Sequence, residues 1–445
     1  MALVVRITTV MLLLVATVKA QLPVIGADSL SKHYQWKMNR FLDRDTALGD
    51  FYSIDLNGVC IYADAVAKKN NRPEYRVTWQ ELPVYKNMMA SLPREEAMQV
   101  MKNKGNGPFS PSIQRLYGSP MNPSGAAPVM GKPLNGHRIA LDPGHFASDS
   151  MGALLEDKYI DMKTGPDSAR AYFYESQLTW ETVRLLQQKL EAAGATVLVT
   201  RKAYGLTAFG KTFAQWKAED YPRTLDSLLK IYPQDVNLKK LKSGKLKDNK
   251  SIFRYVFRDV ELRKRADLIN AFHPDLTIII HFNVDEQNRP WKKTTTKDFC
   301  MAFVGGSFQK GELSDPEKRF DFLRLLLLDD IETSTYASGL ATASFESTLE
   351  VPLAKTGDAT YLRSNCIAAG PPGVYCRNLS LTRMVQGTLI YGETLYQDNV
   401  YECPKLSSEA GQVSGKAPAA DYDESRVGEV AEAYYEAVLN WKNTR

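Results

Sequence analysis

The spacing of apolar and polar residues changes along this chain, and the changes separate strands from helices. Phe51-Tyr52-Ser53-Ile54-Asp55-Leu56 is strand-like, Asn57-Gly58 is a turn signal, and Val59-Cys60-Ile61-Tyr62 is a second apolar piece, the pattern of a hairpin. A helix start follows near Pro93-Arg94-Glu95-Glu96-Ala97. From residue 105 to 133 no apolar period is sustained and Pro, Gly and Ser dominate, which predicts a linker. Beyond it strands alternate with helices. Arg138-Ile139-Ala140-Leu141 is a short apolar strand, and Leu178, Val183, Leu185, Leu186 and Leu190 recur at helical intervals before Gly194. Thr196 to Thr200 is β-branched, and Leu276-Thr277-Ile278-Ile279-Ile280 is apolar almost throughout, as a strand covered on both faces should be. Val427, Val430, Ala431, Tyr434, Ala437, Val438 and Trp441 line one face of a closing helix.

This pattern predicts an α/β fold, a mixed and mostly parallel sheet with helices on both faces, over residues 134–445. A smaller α+β region of unknown role, residues 21–104, precedes it. Residues 203–260 form a long, charged, helical insert, at a place where loops of α/β folds carry specificity.

The first twenty residues are of another kind. Arg6 supplies a weak positive start, Val10 to Ala16 is apolar, and Val18-Lys19-Ala20 offers small residues for cleavage, so residues 1–20 read as an export signal. The apolar run is too short to span a bilayer, and no stable membrane span is expected. Export predicts a periplasmic or secreted protein. Without Arg6 and Lys19 the formal charge falls from +5 to +3, too small an excess to argue for nucleic acid. The lysines between Lys239 and Lys250 read as a solvated face. Five cysteines are present; Cys366 and Cys376 flank a turn-like segment and could close a hairpin, but no Cys-x-x-Cys pair supports a thiolate metal site.

Two histidines fall at the ends of predicted central strands, His145 after Ile139–Leu141 and His281 after Leu276–Ile280. Sites in open α/β sheets are built at such strand ends. Glu175, opening the next helix, would reach the same edge. Two imidazoles and a carboxylate make a three-ligand zinc set that leaves a position for water. His33, His137 and His273 do not share this placement.

At these residues the chain resembles a known family. Ile139-Ala140-Leu141-Asp142-Pro143-Gly144-His145, Glu175, Val197-Leu198-Val199-Thr200-Arg201, Arg265 to Asn270, and Ile280-His281-Phe282-Asn283 are similar to the zinc-dependent N-acetylmuramoyl-L-alanine amidases that separate daughter cells. The resemblance spans residues 134 to 441, broken by inserts. It implies that His145, Glu175 and His281 bind Zn2+, and that Glu393 of Gly392-Glu393-Thr394-Leu395-Tyr396-Gln397-Asp398-Asn399 is catalytic, with Tyr396 and Asn399 at the family's spacing. It also implies peptidoglycan as substrate, and an activator protein acting on the 203–260 insert. Phe146 stands where the family usually has glycine, and the interval from His145 to Glu175 is wide; Glu350 and Asp358 are competing carboxylates. A catalytically inactive peptidoglycan-binding or regulatory homologue, or a zinc peptidase acting on another amide, fits the same residues. No Gly-x-Ser-x-Gly elbow or His-Glu-x-x-His helix points to other hydrolase chemistry.

Overall fold

A computed structural model describes residues 26–119, 131–164, 170–288, 292–410 and 425–444. The expected export signal lies outside these residues, as does the 120–130 part of the expected linker; Pro111–Tyr117 within that linker is helical.

Twelve strands form three sheets among the described residues: β1 (Tyr52–Asp55), β2 (Gly58–Ile61), β3 (Tyr75–Thr78), β4 (Arg138–Pro143), β5 (Tyr159–Lys163), β6 (Arg170–Tyr174), β7 (Thr196–Val199), β8 (Leu276–Asn283), β9 (Met301–Val304), β10 (Ile367–Ala368), β11 (Val374–Cys376) and β12 (Leu389–Tyr396). The central sheet has the order β10-β11-β9-β12-β8-β4-β7. β12, β8, β4 and β7 run parallel, β9 is antiparallel to β12, β11 is parallel to β9, and β10 turns back on β11. The mixed, mostly parallel sheet is the one the sequence pattern predicts.

Alternation along the strands fills both faces. Leu141, Ile278, Ile280 and Ile390 pack with the helices Glu175–Ala192, Asp330–Leu349 and Arg426–Asn443. Ala140, Ile279, Leu389 and Tyr391 pack on the other side, with Ala266 and Ile269 of the helix Arg258–Phe272. A strand buried on both sides has no polar face to show, which explains the unbroken apolar run of β8.

β1, β2 and β3 form an antiparallel meander turned at Asn57-Gly58. Gly58 has φ 150°, and a Cβ there would lie 2.1 Å from the Val77 carbonyl oxygen, so the turn admits only glycine. This N-terminal region shares one hydrophobic core with the helix Pro316–Leu327 and with Val304, Val374 and Cys376 at the far edge of the central sheet. A bidentate pair of Arg94 with Asp321, at 2.8 and 2.9 Å, is buried in that contact.

The insert folds into helices Phe213–Glu219, Tyr221–Ile231, Val236–Lys242 and Asn249–Ile252, then a π-helical turn, Phe253–Phe257, that runs into Arg258–Phe272. Leu238 and Leu241 are buried while Lys239, Lys240, Lys242 and Lys250 are exposed, a solvated face. All five cysteines, Cys366 and Cys376 included, are free thiols.

Candidate metal centre

The site forms where neighbouring strands β4 and β8 end. Pro143 pairs with Ile280, and the Gly144 N–H donates to the Ile280 carbonyl at 2.9 Å. A Cβ on Gly144 would come within 2.4 Å of the His281 ring, so this glycine is what lets the strand end pass the imidazole. The chain then turns through a left-handed His145, φ 57°, uncommon for a residue with a side chain and a mark of a site held by its surroundings. His281 lies within β8, two residues before its end, where the sequence pattern places it just after the strand.

His145, Glu175 and His281 come together. The two imidazole rings are 5.0 Å apart and nearly perpendicular, and one ligand atom from each of the three residues lies within 4.8 Å of the others. Glu175 is buried; its Oε1 accepts from the Phe282 N–H at 3.2 Å and faces His281 Nδ1 at 3.0 Å. Its Oε2 accepts no hydrogen bond, although His145 Nε2 stands 3.3 Å and Lys158 Nζ 3.2 Å away. A buried carboxylate that turns one oxygen to each of two imidazoles, one of those oxygens without a hydrogen bond, fits a divalent cation of the borderline kind that takes nitrogen and oxygen donors.

Burial and the facing charges together set the electrostatics of the cluster. Burial disfavours the His145 imidazolium, but the carboxylates of Glu175 and Glu156 outweigh it and hold its pKa up to about 9. Burial alone would raise Glu175; His145 and Lys158 overcome it and hold that carboxyl well below its ordinary range. His281 is lowered, chiefly by burial.

Several supporting residues carry no signal in the sequence pattern. Glu156, at the end of the helix Ser150–Glu156, faces His145 Nδ1 at 3.2 Å and accepts from the Phe146 and Ala147 N–H groups at 3.0 and 2.9 Å. Lys158 and the β5–β6 hairpin occupy the wide interval between His145 and Glu175. Thr179 Oγ1 donates to the Gly144 carbonyl at 2.6 Å. Beneath the strand end, Arg265 donates to the Pro143 carbonyl at 2.9 Å and pairs with Glu261, while Thr200 Oγ1 donates to Asp142. Only the motif spacing around Asp142, Thr200 and Arg265 could have hinted at this buried network.

Glu393 lies on β12 in register with His281 on β8. Burial pushes its pKa up to about 7, and the nearby Glu175 carboxylate adds to the rise. Two residues earlier, Tyr391 stacks on His281 with ring centres 4.8 Å apart and planes within 5°. The competing carboxylates sit elsewhere: Glu350 is an exposed left-handed residue closing the helix Asp330–Leu349, and Asp358 accepts from the Lys355 N–H in a loop. Asn399 accepts from the Tyr401 and Glu402 N–H groups and Tyr396 is buried, so both serve packing and turn formation.

A cavity of about 500 Å³ opens beside the cluster. His145, His281 and Tyr391 line one side, and Phe253, Arg254 and Phe257 of the insert line the other. Phe146 joins the two walls, its ring 5.4 Å from Phe257 and 6.1 Å from Phe253. A glycine at 146 would leave the insert without that anchor.

The sequence model of the N-acetylmuramoyl-L-alanine amidase family matches residues 139–417. Among solved structures the chain is similar to the CwlD amidase of Clostridioides difficile, solved with the GerS lipoprotein, at 14% identity, covering 69% of this chain and 100% of that one with a TM-score of 0.38. It is similar to the amidase Ami1 of Mycobacterium smegmatis at 12% identity (70% and 99% covered, TM-score 0.36) and to AmiC2 of Nostoc punctiforme at 12% (71% and 100%, TM-score 0.34). No curated protein matches the chain.

Proposed function

The chain belongs to the N-acetylmuramoyl-L-alanine amidase family, and from that premise we propose that it is a zinc hydrolase cutting the amide between N-acetylmuramic acid and L-alanine of peptidoglycan. The observation that carries the reading is the convergence of His145, Glu175 and His281 on one point, with an unsatisfied Glu175 oxygen and Glu393 alongside.

His145, Glu175 and His281 would hold the metal. Zn2+ bound by three such ligands supplies Lewis acidity, making water available as a nucleophile near pH 7 and polarising the scissile carbonyl. Glu393 acts as general base and then general acid: with a pKa of about 7 it accepts the proton of the attacking water and returns it to the departing amine of L-alanine. Glu156 fixes the His145 ring through Nδ1 and so directs Nε2 at the metal position. Tyr391 does the same for His281 by stacking. The cavity between these residues and the insert gives the substrate access to the cluster.

The 203–260 insert forms one wall of that cavity, so an activator protein that grips the insert would control access. Unchanged activity after the insert is removed would count against this role. A periplasmic or secreted location follows from the substrate and from the reading of residues 1–20; no helix among the described residues is long and apolar enough to cross a membrane.

The test is mass spectrometry of muropeptides digested with and without a chelator. Free stem peptides that vanish with the chelator and return with zinc support the reading; glycan or cross-link cleavage instead would overturn it.

A further inference from the structure

We propose that Arg377 is a specificity-determining residue that receives a free carboxylate of the stem peptide, an inference that rests on the amidase reading above. Arg377 directly follows β11 and is half-buried. Its guanidinium carbon lies 4.7 Å over the Tyr361 ring and 5.0 Å over the Phe303 ring. Its side chain makes no hydrogen bond or ion pair among the described residues. By contrast Arg265 pairs with Glu261 and Asp142, Arg383 with Asp321 and Arg324 with Asp330, while Arg201, which lacks a carboxylate partner among the described residues, is fully buried and donates to the Pro143 carbonyl. A guanidinium held by its faces on aromatic rings keeps its N–H donors, which point outward in its plane, available for an acceptor, and it has no acceptor of its own to satisfy them.

The position relates this cation to the chemistry. Phe303 is 6.1 Å from Tyr391, and Tyr391 is 4.8 Å from His281, ring centre to ring centre. Arg377 is also close enough to Glu393 to oppose the rise in its pKa. Those contacts put the guanidinium within roughly five residues of extended peptide from His281. On the substrate, the N-acetylated sugars are uncharged and the lactyl carboxyl is consumed in the scissile amide. Every free carboxylate therefore lies on the peptide side, a few residues from the bond. A stacked arginine at that reach is matched to such a group by a charge-assisted, two-pronged hydrogen bond.

The experiment compares calorimetric binding of two disaccharide-tetrapeptides, one with free carboxylates and one with all of them amidated. The protein is the full chain carrying Glu393→Gln, with and without Arg377→Gln or Arg377→Lys. The free-acid form should bind Glu393→Gln roughly 10- to 100-fold more tightly, the worth of one hydrogen bond to a charged group. Arg377→Gln should erase the difference and Arg377→Lys should keep part of it. Equal binding of the two forms by Glu393→Gln, or a preference that survives Arg377→Gln, would overturn the assignment. Failure of the wild type to release stem peptide from these compounds would sink the amidase reading separately, since the binding comparison needs no turnover.

Discussion

Glu393 stands beside His281 in the parallel pairing of β12 with β8, so the carboxyl with the raised pKa and an imidazole of the candidate metal centre face the same side of the sheet. A carboxyl placed by strand register is held by the whole ladder. Glu393→Gln keeps the shape and the burial but removes the proton acceptor. Its turnover should fall roughly 10²–10⁴-fold while zinc stays bound in a metal assay. His281→Ala should lose metal and turnover together. Retained activity in Glu393→Gln would move the base to another group.

Glu156 is the second pivot of the site, because one carboxylate faces His145 Nδ1 and caps two backbone N–H groups of the following turn. Removing such an outer partner typically costs about 10–100-fold in metal affinity. Glu156→Ala should show this in a competition titration against a chelator, and Glu156→Gln, which still accepts hydrogen bonds, should lose less. An unchanged titration would mean that His145 keeps its orientation without this residue.

The elements legible in the sequence are those whose pattern is local. β4, β7, β8 and the helices Glu175–Ala192 and Arg426–Asn443 follow from apolar period alone. The two histidines stand out because both sit at strand ends. What escapes depends on contacts distant in sequence. Glu156 and Lys158 reach the site through a helix and hairpin whose sequence carries no chemical motif. The reversed direction of β9 and β11 is a matter of long-range pairing, which an apolar run does not encode. The N-terminal meander shows its hairpin in the residues Asn57-Gly58, but its apolar face gives no hint that its partner is the helix Pro316–Leu327.

Phe146 explains a departure that its sequence position leaves unaccounted for. It is buried against Phe253 and Phe257, which in turn pack on Phe213 and Trp216 of the insert. Phe146→Ala should lower stability by about 3–5 kcal/mol, the usual cost of emptying an aromatic site. Hydrogen exchange should accelerate most in residues 213–257, because the anchor joins that unit to the strand end. Uniform acceleration across the chain would argue that the insert is not a separate packing unit.

Asp298 gives the stability a pH dependence of its own, set by groups other than His145, Glu175 and His281. Burial pushes its pKa up to about 6, with Glu402 adding and the Tyr396 N–H and Arg426 opposing. The fold thus favours the protonated form. That contribution is fully present below the ordinary carboxylate range, near pH 4, and is lost as pH rises through about 6. Asp298→Asn is neutral throughout, so it should match the wild type at pH 4 and exceed it at pH 8. The gain should be roughly 1–2 kcal/mol in urea unfolding, reduced from the full linkage value by partial exposure. Equal destabilisation at both pH values would instead mean that the carboxylate is needed as an acceptor for Tyr396.

The Arg94–Asp321 pair tests whether the N-terminal region and the sheet domain behave as one cooperative body. Both side chains are almost fully buried, and among the described residues Asp321 has only Arg383, at 3.2 Å, as a further cationic partner. Arg94→Ala leaves a buried carboxylate half-compensated, which should cost about 3–5 kcal/mol. Lys86–Asp329 joins the same two regions at the surface, and Lys86→Ala should change stability by no more than about 1 kcal/mol. Because the two regions share a hydrophobic core, urea unfolding of Arg94→Ala should remain one transition by tryptophan fluorescence and far-ultraviolet dichroism alike. A separate early transition confined to residues 27–117 would show that the shared core is too weak to couple them.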